Sequence, residues 1–154
     1  MKSKEMTFIP PEELFDAVFQ MLQDGYDAEF TVVGNSMWPF LAHKRDRVTL
    51  RKAEGRFLKK GDIVLLKTDS GYLLHRITRL KKGMVQTTGD NNCYHDELVP
   101  VENILGRAVC FTRKGKQITC DNILYRSIGC MWRVLFPFRP VLLRILLQFR
   151  RSGL

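Results

Sequence analysis

The residues best suited to chemistry lie in Thr31-Val-Val-Gly-Asn-Ser-Met-Trp-Pro-Phe-Leu41, where an apolar, β-branched run breaks at Gly34 and presents Ser36 ahead of Pro39. Glycine adopts the positive φ that a sharp exit from a strand demands, and proline fixes the backbone beyond it. Such a turn exposes a hydroxyl at a sheet edge, so Ser36 is a candidate nucleophile. A serine hydroxyl attacks weakly unless a base takes its proton. An imidazole, with an ordinary pKa near about 6.5, is available as a neutral base at pH 7. The chain holds three histidines, His43, His75 and His95, of which His75 is the candidate base, and Asp90 and Asp96 follow it in the sequence. On its own, Gly-x-Ser is a weak signal, because most such sequences are ordinary strand-to-loop junctions.

Elements must hold these groups in place, and 154 residues suffice for one domain with a real core. A hydrophobic content of 45% with 27% charged residues is that of a globular chain, without repeats or low-complexity runs. The net charge of +9 is unevenly spread. Residues 1–106 hold 15 Lys+Arg and 15 Asp+Glu, whereas residues 107–154 hold ten Lys+Arg and one acid, Asp121. A basic tail interleaved with Leu, Ile and Phe suits an anionic membrane surface, and no nucleic-acid-binding signature accompanies it. The four cysteines, at 93, 110, 120 and 130, have neither Cys-x-x-Cys nor zinc-finger spacing. Free thiols, no metal and no cofactor are expected. Residues 1–27 lack the apolar core of a secretory signal, so a cytoplasmic or peripheral membrane location is expected.

Prolines and acids in Pro10-Pro11-Glu12-Glu13 open a helix that Gly25 closes. Leu14, Ala17, Val18, Met21 and Leu22 share one helical face, widened by Phe15 and Phe19. From Ala28 the pattern is that of short strands, expected at 29–33, 47–51, 63–67, 72–80, 84–88 and 105–113, with 117–120 as a short return. Asp69-Ser-Gly71 and Lys82-Gly83 mark hairpins. The fold class is therefore mainly β, a small, partly closed antiparallel sheet or barrel with an N-terminal helix and C-terminal amphipathic helices. The expected division is 1–27, 28–120 and 121–154.

Four segments recur in order along this β body: Gly34-Asn-Ser-Met-Trp-Pro39, Lys60-Gly-Asp-Ile-Val-Leu-Leu-Lys67, Tyr72-Leu-Leu-His-Arg-Ile77, and Thr87-Thr-Gly-Asp-Asn-Asn92 followed by Asp96. Together they resemble the signal peptidase I family over roughly residues 30–110. Bacterial leader peptidases and LexA-like self-cleaving repressors use a lysine base, whereas the endoplasmic-reticulum type has a histidine in a His-Arg-Val/Ile strand. The position here reads His75-Arg76-Ile77, which looks like the Ser-His branch. The resemblance implies a serine endopeptidase with Ser36 as nucleophile, His75 as general base and Asp96, six residues after Asp90, orienting the imidazole. Asp90 is the alternative acid or a turn residue, and Asp62 a hairpin residue. Met37 is expected to line the substrate groove; His43 and His95 are read as solvated. Where the family often has a hydroxyl two residues before the nucleophile, this chain has Gly34, which leaves the Ser36 N–H and the Asn35 amide as oxyanion donors. The implied substrate is an extended, signal- or leader-like peptide or preprotein with small side chains before the cut. Two other readings remain: a non-catalytic peptide- or membrane-binding module, and a self-cleaving LexA-like regulator, although no helix-turn-helix is visible.

Residues 128–149 could span a bilayer by length, but Arg133, Arg139 and Arg144 each cost about 2.5 to 3.5 kcal/mol near a helix centre. Pro137 and Pro140 also break the run. Two amphipathic helices, 122–136 and 140–150, are expected, with Leu124, Ile128, Met131, Trp132 and Leu135 on one face of the first. They would form an interfacial anchor on an anionic membrane through residues 122–151.

Overall fold

In the computed structural model, which describes residues 11–151, the chain forms one eight-stranded antiparallel sheet with helices at both ends. The readings that rest on residues 1–10, including Pro10 as a helix opener, lie outside the described residues. In chain order the elements are α1 (Pro11–Gln23), β1 (Ala28–Thr31), β2 (Asp46–Lys52), β3 (Ile63–Thr68), β4 (Gly71–Lys81), β5 (Met84–Thr88), β6 (Val99–Pro100), β7 (Ile104–Arg113), β8 (Lys116–Thr119), α2 (Ile123–Val134) and α3 (Arg139–Arg151). The strand order is β1-β2-β7-β3-β4-β5-β6, with β8 paired to β7. Among the described residues the sheet does not close into a barrel, because its end strands β1 and β6 pair only with β2 and β5. Irregular register at Thr49/Leu50, Leu65/Leu66 and Ile77/Arg79 lets it bend without closing.

The middle of the sheet explains the unbroken apolar run Ile63-Val-Leu-Leu66. This strand lies between β4 and β7 and is covered on both faces. Ile63 and Leu65 enter a core shared with Val18 and Leu22 of α1, whereas Val64 and Leu66 enter a second core with Ile77 and Val85. The α1 face is rotated from the one expected: Val18 and Leu22 are buried, while Ala17 and Met21 are exposed. The cause is aromatic packing, since Phe15 meets the Phe30 ring edge-on at 5.7 Å and the Tyr72 ring at 4.8 Å.

The loop between β1 and β2 carries Ser36, and Asp46 fixes it. This fully buried carboxylate accepts from Ala42 N–H at 2.9 Å and pairs with Arg45 at 2.7 Å and Arg113 at 2.8 Å. Arg45 and Arg113 also donate to Phe40 O, so both ends of the loop are tied to one charge. Burial works against ionisation of Asp46, but hydrogen bonds from Arg113, Arg45 and Ala42 outweigh it and hold the carboxyl below its ordinary value. A carboxyl lowered on folding stabilises the protein above the usual Asp value of about 3.9 and loses that contribution as pH falls through the lowered one. Asp46→Asn should therefore lower unfolding stability at pH 7 by about 2 kcal/mol, with the difference from wild type shrinking in acid. Denaturant titrations at several pH values would measure it; a pH-independent difference would exclude the charge as the cause.

Candidate functional site

Gly34 has φ +89 and a Cβ built there would meet nothing within 4 Å, so backbone conformation, not space, requires the glycine. Its N–H donates to His43 Nδ1 at 3.0 Å, which gives an exposed histidine a part in shaping the serine loop. Trp38 N–H donates to Asn35 O and Leu41 N–H to Met37 O, folding residues 35–41 into a tight coil that includes a cis Trp38–Pro39 bond. Ser36 is half-buried and Asn35 exposed. The Ser36 N–H and the Asn35 side-chain amide donate to no acceptor among the described residues. Met37 is 2% exposed and belongs to the main core, but also reaches the wall of a cleft of about 370 Å³ beside Ser36. Leu14 and Phe15 of α1, Val33 beyond β1, and Tyr72 and Leu74 of β4 form part of that wall.

Strand alternation sends neighbouring residues of β4 to different partners. His75 is 4% exposed, and its Nδ1 lies 2.6 Å from Asp96 Oδ2. Asp96 is held from two sides, by its own N–H donating to Thr87 O at 2.9 Å and by Thr87 Oγ1 donating to the same Oδ2 at 2.6 Å. Gln86 Nε2 also donates to Asp96 O at 3.0 Å. With Nδ1 hydrogen-bonded to a carboxylate, the neutral imidazole keeps its proton there and leaves Nε2 free to accept one.

Arg76 pairs instead with Asp90, at 2.7 Å between Nη2 and Oδ2, and the two side chains are 2% and 1% exposed. Burial alone would lower the Arg76 pKa; Asp90 overcomes this and raises it above the ordinary arginine value. Arg76 also donates to Gly61 O at 2.9 Å, and Phe40 lies over its guanidinium at 4.9 Å. Asp90 is thus occupied by Arg76, and the carboxylate brought to His75 is Asp96. Asp62 likewise has structural partners: it accepts from Lys59 N–H and Arg126.

The Ser36 loop is docked on the turn that carries Asp90, because Asn91 N–H donates to Ser36 O at 2.8 Å. A Cβ on Gly89 would lie 2.6 Å from Ser36 O, so that position has room only for glycine. The structure therefore joins His75 directly to Asp96 and sets Ser36 against the turn between Thr88 and Asp96. Among the described residues, Ser36 Oγ makes no hydrogen bond to His75.

Sequence reasoning missed what holds this turn from outside. Trp132 Nε1 donates to Asp90 O at 2.9 Å, and Arg139 Nη1 donates to Asn92 O at 2.9 Å and Gly89 O at 3.2 Å. His95, exposed as expected, bonds Thr88 Oγ1 through Nδ1 at 2.7 Å and stacks on Phe136 at 4.3 Å. Both C-terminal helices form close to the expected positions. Asn122 caps α2, accepting from Leu124 N–H at 2.9 Å and Tyr125 N–H at 3.2 Å. The expected apolar face is split, however: Tyr125, Gly129 and Trp132 turn inward, leaving Leu124 (70% exposed), Ile128 and Met131 outside. Aromatic contact decides the rotation, as Phe40 takes both the Tyr125 and Trp132 rings edge-on at 6.0 Å. A Cβ on Gly129 would come within 3.1 Å of Arg76 Nη1, so the glycine lets the helix sit over the buried guanidinium.

All four cysteines are free thiols, Cys93 and Cys130 exposed and Cys110 and Cys120 buried; burial pushes the Cys120 thiol up to about 12. Among the described residues, no helix is long and apolar enough to cross a membrane. No family model matches this chain, and no curated protein matches it either.

Removing Asp90 strands a buried guanidinium. Asp90→Ala should destabilise the fold by about 3 to 5 kcal/mol in denaturant unfolding, whereas Asp96→Asn should change stability little. Equal, small losses in the two variants would show that the buried pair does not hold the turn.

Proposed function

We propose that this chain is a signal-peptidase-like serine endopeptidase of the Ser-His type, cutting an extended peptide with Ser36 as nucleophile, His75 as general base and Asp96 as the group that orients it. The observation that carries the reading is the 2.6 Å contact between His75 Nδ1 and Asp96 Oδ2, made by a carboxylate that Thr87 also fixes. The four ordered segments described above add to it. In the reaction, His75 Nε2 takes the Ser36 hydroxyl proton as Oγ attacks the scissile carbonyl, and then gives it to the leaving amine. The Oγ must come within about 3 Å of Nε2 for this, and such bonds commonly tighten only when substrate is bound. The developing oxyanion would be met by the free Ser36 N–H with the Asn35 amide beside it. Each such donor is worth about 3 kcal/mol.

The cleft suits an extended chain. Among the described residues, strand β1 ends the sheet and pairs only with β2, which leaves its outer edge to add a substrate strand through main-chain hydrogen bonds. A non-catalytic binding groove would have no need of the His75–Asp96 pair.

Ser36→Ala and His75→Ala should each abolish cleavage of a peptide substrate; Ser36→Ala should leave the unfolding midpoint within error of wild type, whereas His75→Ala should lower it, because the imidazole it removes is buried against Asp96. Asp96→Asn should lower kcat by roughly three to four orders of magnitude. Full activity in Ser36→Ala would end the reading. Incubating the purified chain alone separates the self-cleaving alternative, which would yield fragments that Ser36→Ala does not.

The C-terminal helices support a second part of the proposal, docking on an anionic membrane surface. Their inner faces are used: Trp132 and Leu143 pack with Trp38 and Ala42. Their outer faces leave Leu124, Ile128, Met131 and Val134 of α2 and Val141, Ile145 and Phe149 of α3 exposed, in a segment with six arginines and no acid after Asp121. Apolar side chains set in basic charge fit the boundary between lipid headgroups and acyl chains. The full chain should pellet with anionic vesicles at low salt and less so at high salt, and Ile128→Glu with Val141→Glu should remove the effect. Point variants are preferable to truncation, because Trp132 and Arg139 also hold the turn at residues 89–92. No pelleting at low salt would remove the membrane from the proposal.

A further inference from the structure

A cleft of about 350 Å³ lies where α2 and the start of α3 meet the loop before β3 and the segment after β5. Its charged and titratable lining is Lys60, His95, Arg133, Arg139 and the Cys130 thiol, and among the described residues no carboxylate lines it. Both guanidinium groups are incompletely satisfied. Arg139 is 2% exposed, yet its Nε has no hydrogen-bond partner, and the bonds it does make go to neutral carbonyls of Gly89, Asn92 and Trp132. Arg133 packs on Gly61, where a Cβ would lie 3.3 Å from its Cζ. Its Nε is buried without a partner, and its guanidinium forms no ion pair or hydrogen bond among the described residues. Lys60 is exposed and likewise unpaired among them.

Buried charge without a counter-charge is unfavourable, and like charges gathered in one cleft add to the penalty. Burial accordingly lowers the pKa of Arg139 from its ordinary value; the acid that acts against this, Asp90, is already paired with Arg76. We propose that this cleft is a binding site for a phosphate-type oxyanion, held by Arg133, Lys60 and the field of Arg139. Guanidinium groups bind phosphate oxygens with short, charge-assisted hydrogen bonds. The rest of the lining identifies the fuller ligand. Val134, at 73% exposed, and the Phe136 ring continue the cleft toward the apolar outer face of α2, so a phosphate bearing acyl chains would fill both parts. The site does not involve Ser36 or His75, and it stands or falls separately from the peptidase reading.

The test is calorimetric titration of the full-length Ser36→Ala chain with two probes, inorganic phosphate and a short-chain phosphatidic acid below its micelle concentration. Saturable binding of the lipid, weakened about ten- to hundred-fold in Arg133→Gln, is expected. Stronger binding of the lipid than of inorganic phosphate identifies the headgroup with its chains as the source. Equal, Arg133-dependent binding of both supports the oxyanion site and assigns it to free phosphate. Lys60→Gln, an exposed position, gives the same comparison with a smaller loss should Arg133→Gln fold poorly. Absence of saturable binding of either probe, or affinity unchanged in both variants, would overturn the proposal.

Discussion

Two opposite charges, Arg76 and Asp90, are buried together between β4 and the turn that follows β5, and the site is assembled around them. A buried ion pair is worth keeping only if its remaining donors are satisfied. Here Gly61 O, the Tyr125 hydroxyl and the faces of Phe40 and Tyr125 complete the shell of Arg76. Each partner comes from a different part of the chain: Gly61 from the loop before β3, Phe40 from the serine loop, and Tyr125 from α2. One guanidinium therefore fixes the relative placement of the segments that carry Ser36, His75 and Asp96. The alternation of β4 then delivers His75 to Asp96 because its neighbour is committed elsewhere.

Around this pair the molecule uses hydrogen bonds where packing alone would be too permissive. The main core could accommodate several arrangements of an apolar loop. Asp46 binds both arginines that reach Phe40 O, and Asn91 N–H meets Ser36 O, which leaves the serine loop one arrangement. The same economy appears at Gly89 and Gly129, where the missing side chain makes room for a carbonyl in one case and a guanidinium in the other.

Much of this was legible in the sequence. The strands from β1 to β8 fall where β-branched runs and turn residues place them, apart from the two-residue β6, which is too short to leave a pattern. Gly34 was readable because a strand exit before a serine needs positive φ. The buried face of α1 differs from the periodic one, since a helical period does not say that Phe15 will find Phe30 and Tyr72 across the sheet. The outer face of α2 differs for the same reason: Leu124, Ile128 and Met131 are as apolar as Trp132, and the position of Phe40 decides which of them turns inward. Arg139 left no signal, because an arginine between two phenylalanines and a proline reads as surface charge until the carbonyls it binds are known. The order of Asp96 before Asp90 rests on family resemblance alone; the structure shows only that Arg76 pairs with Asp90 and that Asp96 lies against His75.

The grip of the C-terminal helices on the turn has a consequence for how this sequence can drift. Trp132 and Arg139 take main-chain carbonyls of Gly89, Asp90 and Asn92 as their acceptors. A carbonyl is present whatever residue occupies the position, so the turn can exchange exposed side chains such as Cys93 and Tyr94 without weakening that hold. The donors have no such latitude, because only an indole and a fork of guanidinium nitrogens reach these oxygens from the helices. Variation across this contact should therefore be lopsided, with the loop free to change its surface while the two helical donors stay fixed.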